Sequence, residues 1–263
     1  MTKNIGLEVE SDVATITLSK PPDNRFHQAM VTEIDEAIDE VISRHARALI
    51  IAADGPDFCH GGDIVTWETL EAEEWAAQLG GYLNVFNRLE HLPIPVIAAV
   101  QGLCNGGGWE LVLHTDIILA ATTARFSHSE QSLGLVTALG GVYRSAQRVG
   151  PLLAYEWALT SEEVPAEVLY RHGGVNRLVD EADLLAEAKH FAQSLAAGPT
   201  LAHGAHKVLL RSWAVGGVAA ADGIVADVYL PLLKSEDWAN GLKSGIAAYR
   251  AGRPRPRLEF AGR

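Results

Sequence analysis

The chain has 263 residues, 48% of them hydrophobic and 21% charged, with a formal net charge of −12. That is enough for one large domain, or one domain with a small helical extension, around a sizeable core. The acidic balance weighs against nucleic acid or an anionic membrane surface as the main partner, because both reward a basic face.

Residues 1–6 lack the apolar core of a secretory leader. Val13-Ala14-Thr15-Ile16-Thr17-Leu18 is rich in β-branched residues and runs into the turn cluster Lys20-Pro21-Pro22-Asp23-Asn24, so it predicts a strand. From Met30, the positions Ile34, Ile38, Val41 and Ile42 recur at helical spacing, and residues 48–53 read as a buried strand. Trp75, Leu79, Tyr82, Leu83, Phe86 and Leu89 line one face of a second helix, which Pro93 and Pro95 end before a buried strand at 96–100. A glycine loop at 105–108, a helix to about His114 and a strand at 117–120 follow. This alternation predicts an α/β fold. Beyond about residue 143 the strand signal fades, and residues 151–160, 165–172, 181–197, 200–213 and 219–251 read as helical. We therefore expect an α/β core carrying the site over residues 1–195 and a helical region over 196–263. The tail carries Arg250, Arg253, Arg255 and Arg257, with two prolines that stop any helix. No apolar run is expected to reach membrane-spanning length. With Cys59 and Cys104 as the only cysteines, a disulfide scaffold is disfavoured and the expected location is the cytoplasm.

Two segments carry the chemistry. Phe58-Cys59-His60-Gly61-Gly62-Asp63 and Asn105-Gly106-Gly107-Gly108-Trp109-Glu110 each follow an apolar strand and can each turn backbone N–H groups toward one acceptor. The start of a helix supplies donors with no partner inside the helix, and donors fixed where negative charge develops are usually the largest catalytic term. Three glycines in a row at a helix start cost about 0.5 to 1 kcal/mol each relative to alanine, which structure alone rarely demands. Glu110 falls in the first turn of that helix, where its dipole favours a carboxylate. Glu130 follows the next strand and loop. Two oxyanion-capable loops with two carboxylates support proton chemistry beside a stabilised enolate, one acid delivering a proton while the other takes one from water.

With these segments in view, the chain resembles the enoyl-CoA hydratase/isomerase (crotonase) superfamily over nearly its full length. Its Phe-x-x-Gly-x-Asp segment is similar to residues 58–63 and its Gly-Gly-Gly-x-Glu segment to residues 106–110, which implies donor N–H groups on Gly62 and Gly107. Pro95-Val96-Ile97-Ala98-Ala99-Val100 before Gly102, Asp116, Phe126-x-x-x-Glu130-x-x-x-Gly134, and Ser235-Glu236-Asp237 with Gly241 and Tyr249-Arg250 also match. The resemblance implies a spiral of ββα units followed by a helical trimerisation region, catalytic roles for Glu110 and Glu130, and a CoA thioester as substrate. The expected activity is hydration of a 2-enoyl-CoA in fatty acid metabolism by a homotrimer or dimer of trimers. Double-bond isomerisation, another acyl-CoA lyase or hydrolase reaction, and a non-catalytic or RNA-associated scaffold are the alternatives. Histidine at 60, tryptophan at 109 and threonine at 137 depart from the family's usual residues and bear on acyl specificity.

His60, Gly61, Asp63 and Trp109 are the candidate substrate-binding residues around the loops, although the bulk of Trp109 is more in keeping with packing. Lys20, Arg25 and the tail arginines are the candidate cations for the CoA phosphates. His128 could tune Glu130, but reads more simply as a surface histidine. His203 and His206 have one-turn spacing without a recognisable third ligand, so no metal is expected. Cys59 and Cys104 read as small buried residues, and no redox cofactor is expected because CoA is the handle of the substrate.

Overall fold

The computed structural model describes residues 3–263. An antiparallel hairpin of β1 (Ile5–Glu10) and β2 (Val13–Leu18) opens the chain. α1 (Gln28–Ser43) buries Met30, Val31, Ile34, Ile38 and Val41 at the expected spacing, and β3 (Ala48–Ala53) pairs parallel with β2. α2 (Ala72–His91) returns the chain to β4 (Val96–Val100), parallel to β3. β5 (Leu103–Asn105) leads into α3 (Gly107–Leu113), and then β6 (Ile117–Ala121) joins β4 in parallel and β7 (Arg125–Ser127) joins β5. α4 (Gly141–Val149), α5 (Pro151–Thr160), β8 (Val164–Pro165) and α6 (Ala166–Arg171) precede β9 (Arg177–Val179), which pairs with β6. α7 (Leu184–Ala196), α8 (Thr200–Leu233) and α9 (Glu236–Arg250) complete the chain.

The long strands form one sheet in the order β1-β2-β3-β4-β6-β9, and β5, β7 and β8 form a second, smaller one. A parallel bridge between Cys59 and Cys104 extends the small sheet toward the first glycine loop. Each turn of the chain thus gives a long strand to the large sheet and a short segment to the small one: β3 with Cys59, β4 with β5, β6 with β7. This is the expected spiral of ββα units, with the helical region following it. β3 and β4 are almost wholly buried and aliphatic, because α7 covers one face while the spiral fills the other. Burying each Ile, Val or Leu there contributes about 1.5 to 3 kcal/mol.

Two expectations are corrected in the helical region. The helix expected over 219–251 is divided at Lys234 and Ser235, where the Ser235 hydroxyl accepts the Trp238 amide at 3.0 Å and starts α9 afresh. α8 is also long and apolar enough, by length and composition, to cross a membrane, contrary to the expectation that no run reaches that length. It is kinked at Gly217 (φ 70°, ψ −166°) and contains Pro231. Its first half is tied to the α/β body: Lys207 Nζ donates to Asp116 Oδ2 at 2.7 Å and to the Ile94 carbonyl at 3.0 Å, and Arg211 donates to the Glu90 carbonyl.

Candidate active site

The two glycine loops lie side by side at the end of the small sheet. A Cβ on Gly61 would sit 3.4 Å from the Gly107 nitrogen, and one on Gly107 would sit 3.9 Å from the Gly62 nitrogen. Neither the Gly62 nor the Gly107 amide has a hydrogen-bond acceptor among the described residues. Gly107 is the first residue of α3, so its free N–H follows from helix geometry. Structure accounts for two of the three consecutive glycines. Gly106 has φ 51°, and a Cβ there would lie 3.1 Å from Glu130 Oε1; Gly108 packs on Cys59, whose Cβ would be 2.6 Å away. Gly107 is the one that faces open donor space.

Glu110, in the first turn of α3, is only 2% exposed. Its Oε1 accepts the Leu139 amide at 2.8 Å and the Gly141 amide at 3.0 Å, at the start of α4. Burial, and then the charge of Glu130, push its pKa up to about 8 against these two amides and the nearby Arg144. Glu130 begins a short 3₁₀ turn over residues 130–133, and its Oε2 is buried with no partner among the described residues. Burial raises its pKa as well. Both carboxyls thus favour the protonated form more than an exposed glutamate does, which suits the pair to give one proton and take another.

The surrounding residues divide into those at the amides and those fastened elsewhere. Gly61 forms the contact between the loops, and the Asp63 carbonyl accepts the Thr66 amide and hydroxyl, opening a 3₁₀ turn over residues 64–67. His60 turns to Asp57, 2.9 Å away, with Asp23 at 4.0 Å. Arg25 donates to the carbonyls of His60 and Gly62, so its guanidinium braces the loop. Lys20 is exposed. The Trp109 ring is buried edge-on against Phe126 at 4.7 Å, in keeping with packing. His128 is not on the surface: it is buried, held neutral down to about 4 by that burial, and bonded to Ser145 at 3.0 Å. Cys59 and Cys104 are buried free thiols, and burial pushes Cys59 up to about 12. Among the described residues no group of three or more His, Cys, Asp and Glu is placed to hold a metal ion.

Two participants were invisible in the sequence reading. Trp67 lies with its ring over Gly62, where any Cβ would overlap it, and stacks on Trp75 at 4.4 Å. A tryptophan four residues after Asp63 was the available signal. The amides of Leu139 and Gly141 had none, because a backbone donor leaves no mark on residue type. A cavity of about 810 Å³ lies away from this chemistry, among α7, α8, α9 and the tail, lined by Leu201, Trp238, Leu242 and Phe260 among others. Its one buried acid, Asp237, is already taken by the amides of Ala261 and Gly262. No second acid joins it there, so the Glu110–Glu130 pair is the stronger candidate.

A family model described as enoyl-CoA hydratase/isomerase matches residues 8–222. Crotonyl-CoA hydratase of Syntrophomonas wolfei is 30% identical over 253 residues, spanning 95% of this chain and 97% of that one. Short-chain-enoyl-CoA hydratase of Clostridium acetobutylicum is 33% identical over 205 residues, 76% of this chain and 77% of its own. Among solved structures, an enoyl-CoA hydratase subunit I from Geobacillus kaustophilus superposes with a TM-score of 0.88 at 30% identity, over 99% of this chain and 98% of that one.

Proposed function

The chain belongs to the enoyl-CoA hydratase/isomerase family, and we propose that it is an enzyme adding water across the 2,3 double bond of an enoyl-CoA thioester. The observation that carries this reading is the pair of buried Glu110 and half-buried Glu130, its Oε2 enclosed, beside two adjacent amides without acceptors among the described residues. In this mechanism the N–H groups of Gly62 and Gly107 hold the thioester oxygen, lowering the energy of the enolate as water attacks the β-carbon. In the form of the pair whose single proton sits on Glu130, Glu110 takes the proton of that water. The two amides on its Oε1 favour the charged form and fix its direction. Glu130, whose Oε2 has no partner among the described residues, delivers a proton to the α-carbon, and passage of the proton from Glu110 to Glu130, relayed by the next water, restores the starting state. Hydration transfers no electrons, so the mechanism calls for no redox cofactor, and the two amides polarise the carbonyl where a Lewis acid would otherwise act.

Two carboxyls favour hydration over isomerisation, which needs one group to carry a proton between carbons. Assaying a 2-enoyl-CoA against its 3-enoyl isomer tests the choice: hydration of the 2-enoyl thioester is expected, and conversion of the 3-enoyl compound alone would establish the isomerase. The net charge of −12 disfavours an RNA-associated scaffold. Exposed Lys20 is the cation we assign to the CoA phosphates. For assembly we propose a homotrimer or a dimer of trimers. Leu210, Trp213, Val215, Val218, Leu230 and Trp238 on α8 and α9 are exposed in the single chain, and a second copy would cover such apolar surface.

A further inference from the structure

Glu110 is held by a turn that is itself propped from behind. Leu139 and Gly141 donate the two amides that grip Oε1. Gly140 stands between them with φ 95°, a conformation suited to glycine. The guanidinium of Arg144 folds back onto that residue, so that a Cβ on Gly140 would overlap Nη1. Nη1 is buried and makes no hydrogen bond among the described residues, while the other guanidinium nitrogens are fixed to α2: Nη2 donates to Glu90 at 2.6 Å and to Asn87 at 2.9 Å, and Nε to Glu90 at 3.2 Å. Arg144 therefore joins α2 to the turn that orients the carboxylate and puts a positive charge behind it. A rigid planar fork suits this joint, since one ammonium cannot meet both α2 acceptors and lie flat on a backbone.

Resting on the hydratase reading, we infer that Arg144 is a positioning residue of the reaction: anchored by Glu90 and Asn87, it presses on Gly140 and holds the Leu139 and Gly141 amides on Glu110. Other titratable groups face Glu110 as well. Glu130 faces it from the turn after β7, His128 from the segment between them, and His114 from one turn further along α3, with Glu90 and His91 behind. Both His114 and His128 are kept neutral down to about 4, chiefly by burial, so neither changes charge over the range where Glu110 titrates.

The test is the pH profile of kcat/KM and kcat for Arg144→Met and Arg144→Lys with a 2-enoyl-CoA, beside an infrared titration of the Glu110 carboxyl without substrate. The active pair carries one proton, so activity is lost above the higher apparent pKa of the pair, which the buried Glu110 carboxyl places near 8. Removing the cation and loosening the amides both favour protonated Glu110. In Arg144→Met the high-pH limb and the infrared titration should move up together, with kcat down about tenfold or more and KM changed far less. Arg144→Lys restores charge without the fork, so its limb should return partway while kcat stays depressed. A native-size Arg144→Met variant with parental kcat and limb, or with only a lower Tm, would overturn the inference. Should that variant fail to fold, Arg144→Lys decides: parental kcat and limb refute the role, and depressed kcat with a raised limb supports it. If the parent hydrates no 2-enoyl-CoA the functional reading fails, yet the infrared titration still reports whether Arg144 governs Glu110.

Discussion

Replacing Glu110 by glutamine should stabilise the protein at alkaline pH while abolishing most of its activity. Glutamine keeps an oxygen for the Leu139 and Gly141 amides and can donate toward Glu130, so the packing is preserved. In the unfolded chain Glu110 ionises near 4.5, whereas in the fold it holds its proton up to about 8. Its contribution is therefore fully present below about 4.5 and is lost as pH rises toward about 8, because the unfolded state gives up its proton first. At about 1.4 kcal/mol per tenfold in proton affinity, the loss reaches at most about 5 kcal/mol. Glutamine has no such term. The stability of Glu110→Gln relative to the parent should climb between pH 5 and 8 and level off beyond. Denaturation at fixed protein concentration over pH 5–9 would measure it, while kcat should fall about a hundred- to ten-thousand-fold. Parallel stability curves would show that Glu110 is not held protonated by the fold, and parental turnover would remove it from the mechanism.

Gly107→Pro removes the N–H proposed to hold the thioester oxygen, at a first helical position where proline is otherwise tolerated. Turnover should drop by about a hundred- to a thousand-fold with native circular dichroism, and a folded variant at parental rate would sink the oxyanion reading. Gly62→Pro is the poorer probe, because the new ring would collide with Trp67. Light scattering should return a trimer or a hexamer, and a stable monomer at micromolar concentration would contradict the assembly drawn from the exposed residues of α8 and α9.

The core strands were legible because β3 and β4 are continuous apolar runs and β2 is a β-branched run before a turn cluster, and α1 and α2 because their buried positions recur at helical spacing. β1 was not: Gly6, Glu8 and Glu10 interrupt it, and it exists through pairing with β2. β5, β7 and β9 have three residues each, too few for a period, and long-range pairing alone makes them strands. In the site, the glycine loops and both carboxyls could be read from residue type and order. The burial of His128, the ring of Trp67 over Gly62 and the prop behind Glu110 could not, since each depends on what a distant segment brings alongside.

The bridge between Cys59 and Cys104 gives the site its scale. Gly62 and Gly107 stand the same three residues beyond these two partners, so the donor amides occupy equivalent places on successive turns of one spiral. Neighbouring strands run about 4.8 Å apart. An oxygen about 2.9 Å from each of two nitrogens at that separation sees them at an angle of about 110°, near the spread of lone pairs on a carbonyl. On this geometry the spacing of the two proposed donors follows from chain pitch. Inserting one residue between Cys59 and Gly62 would leave Glu110 and Glu130 on their own elements and still shift one of the two amides proposed to hold the oxygen.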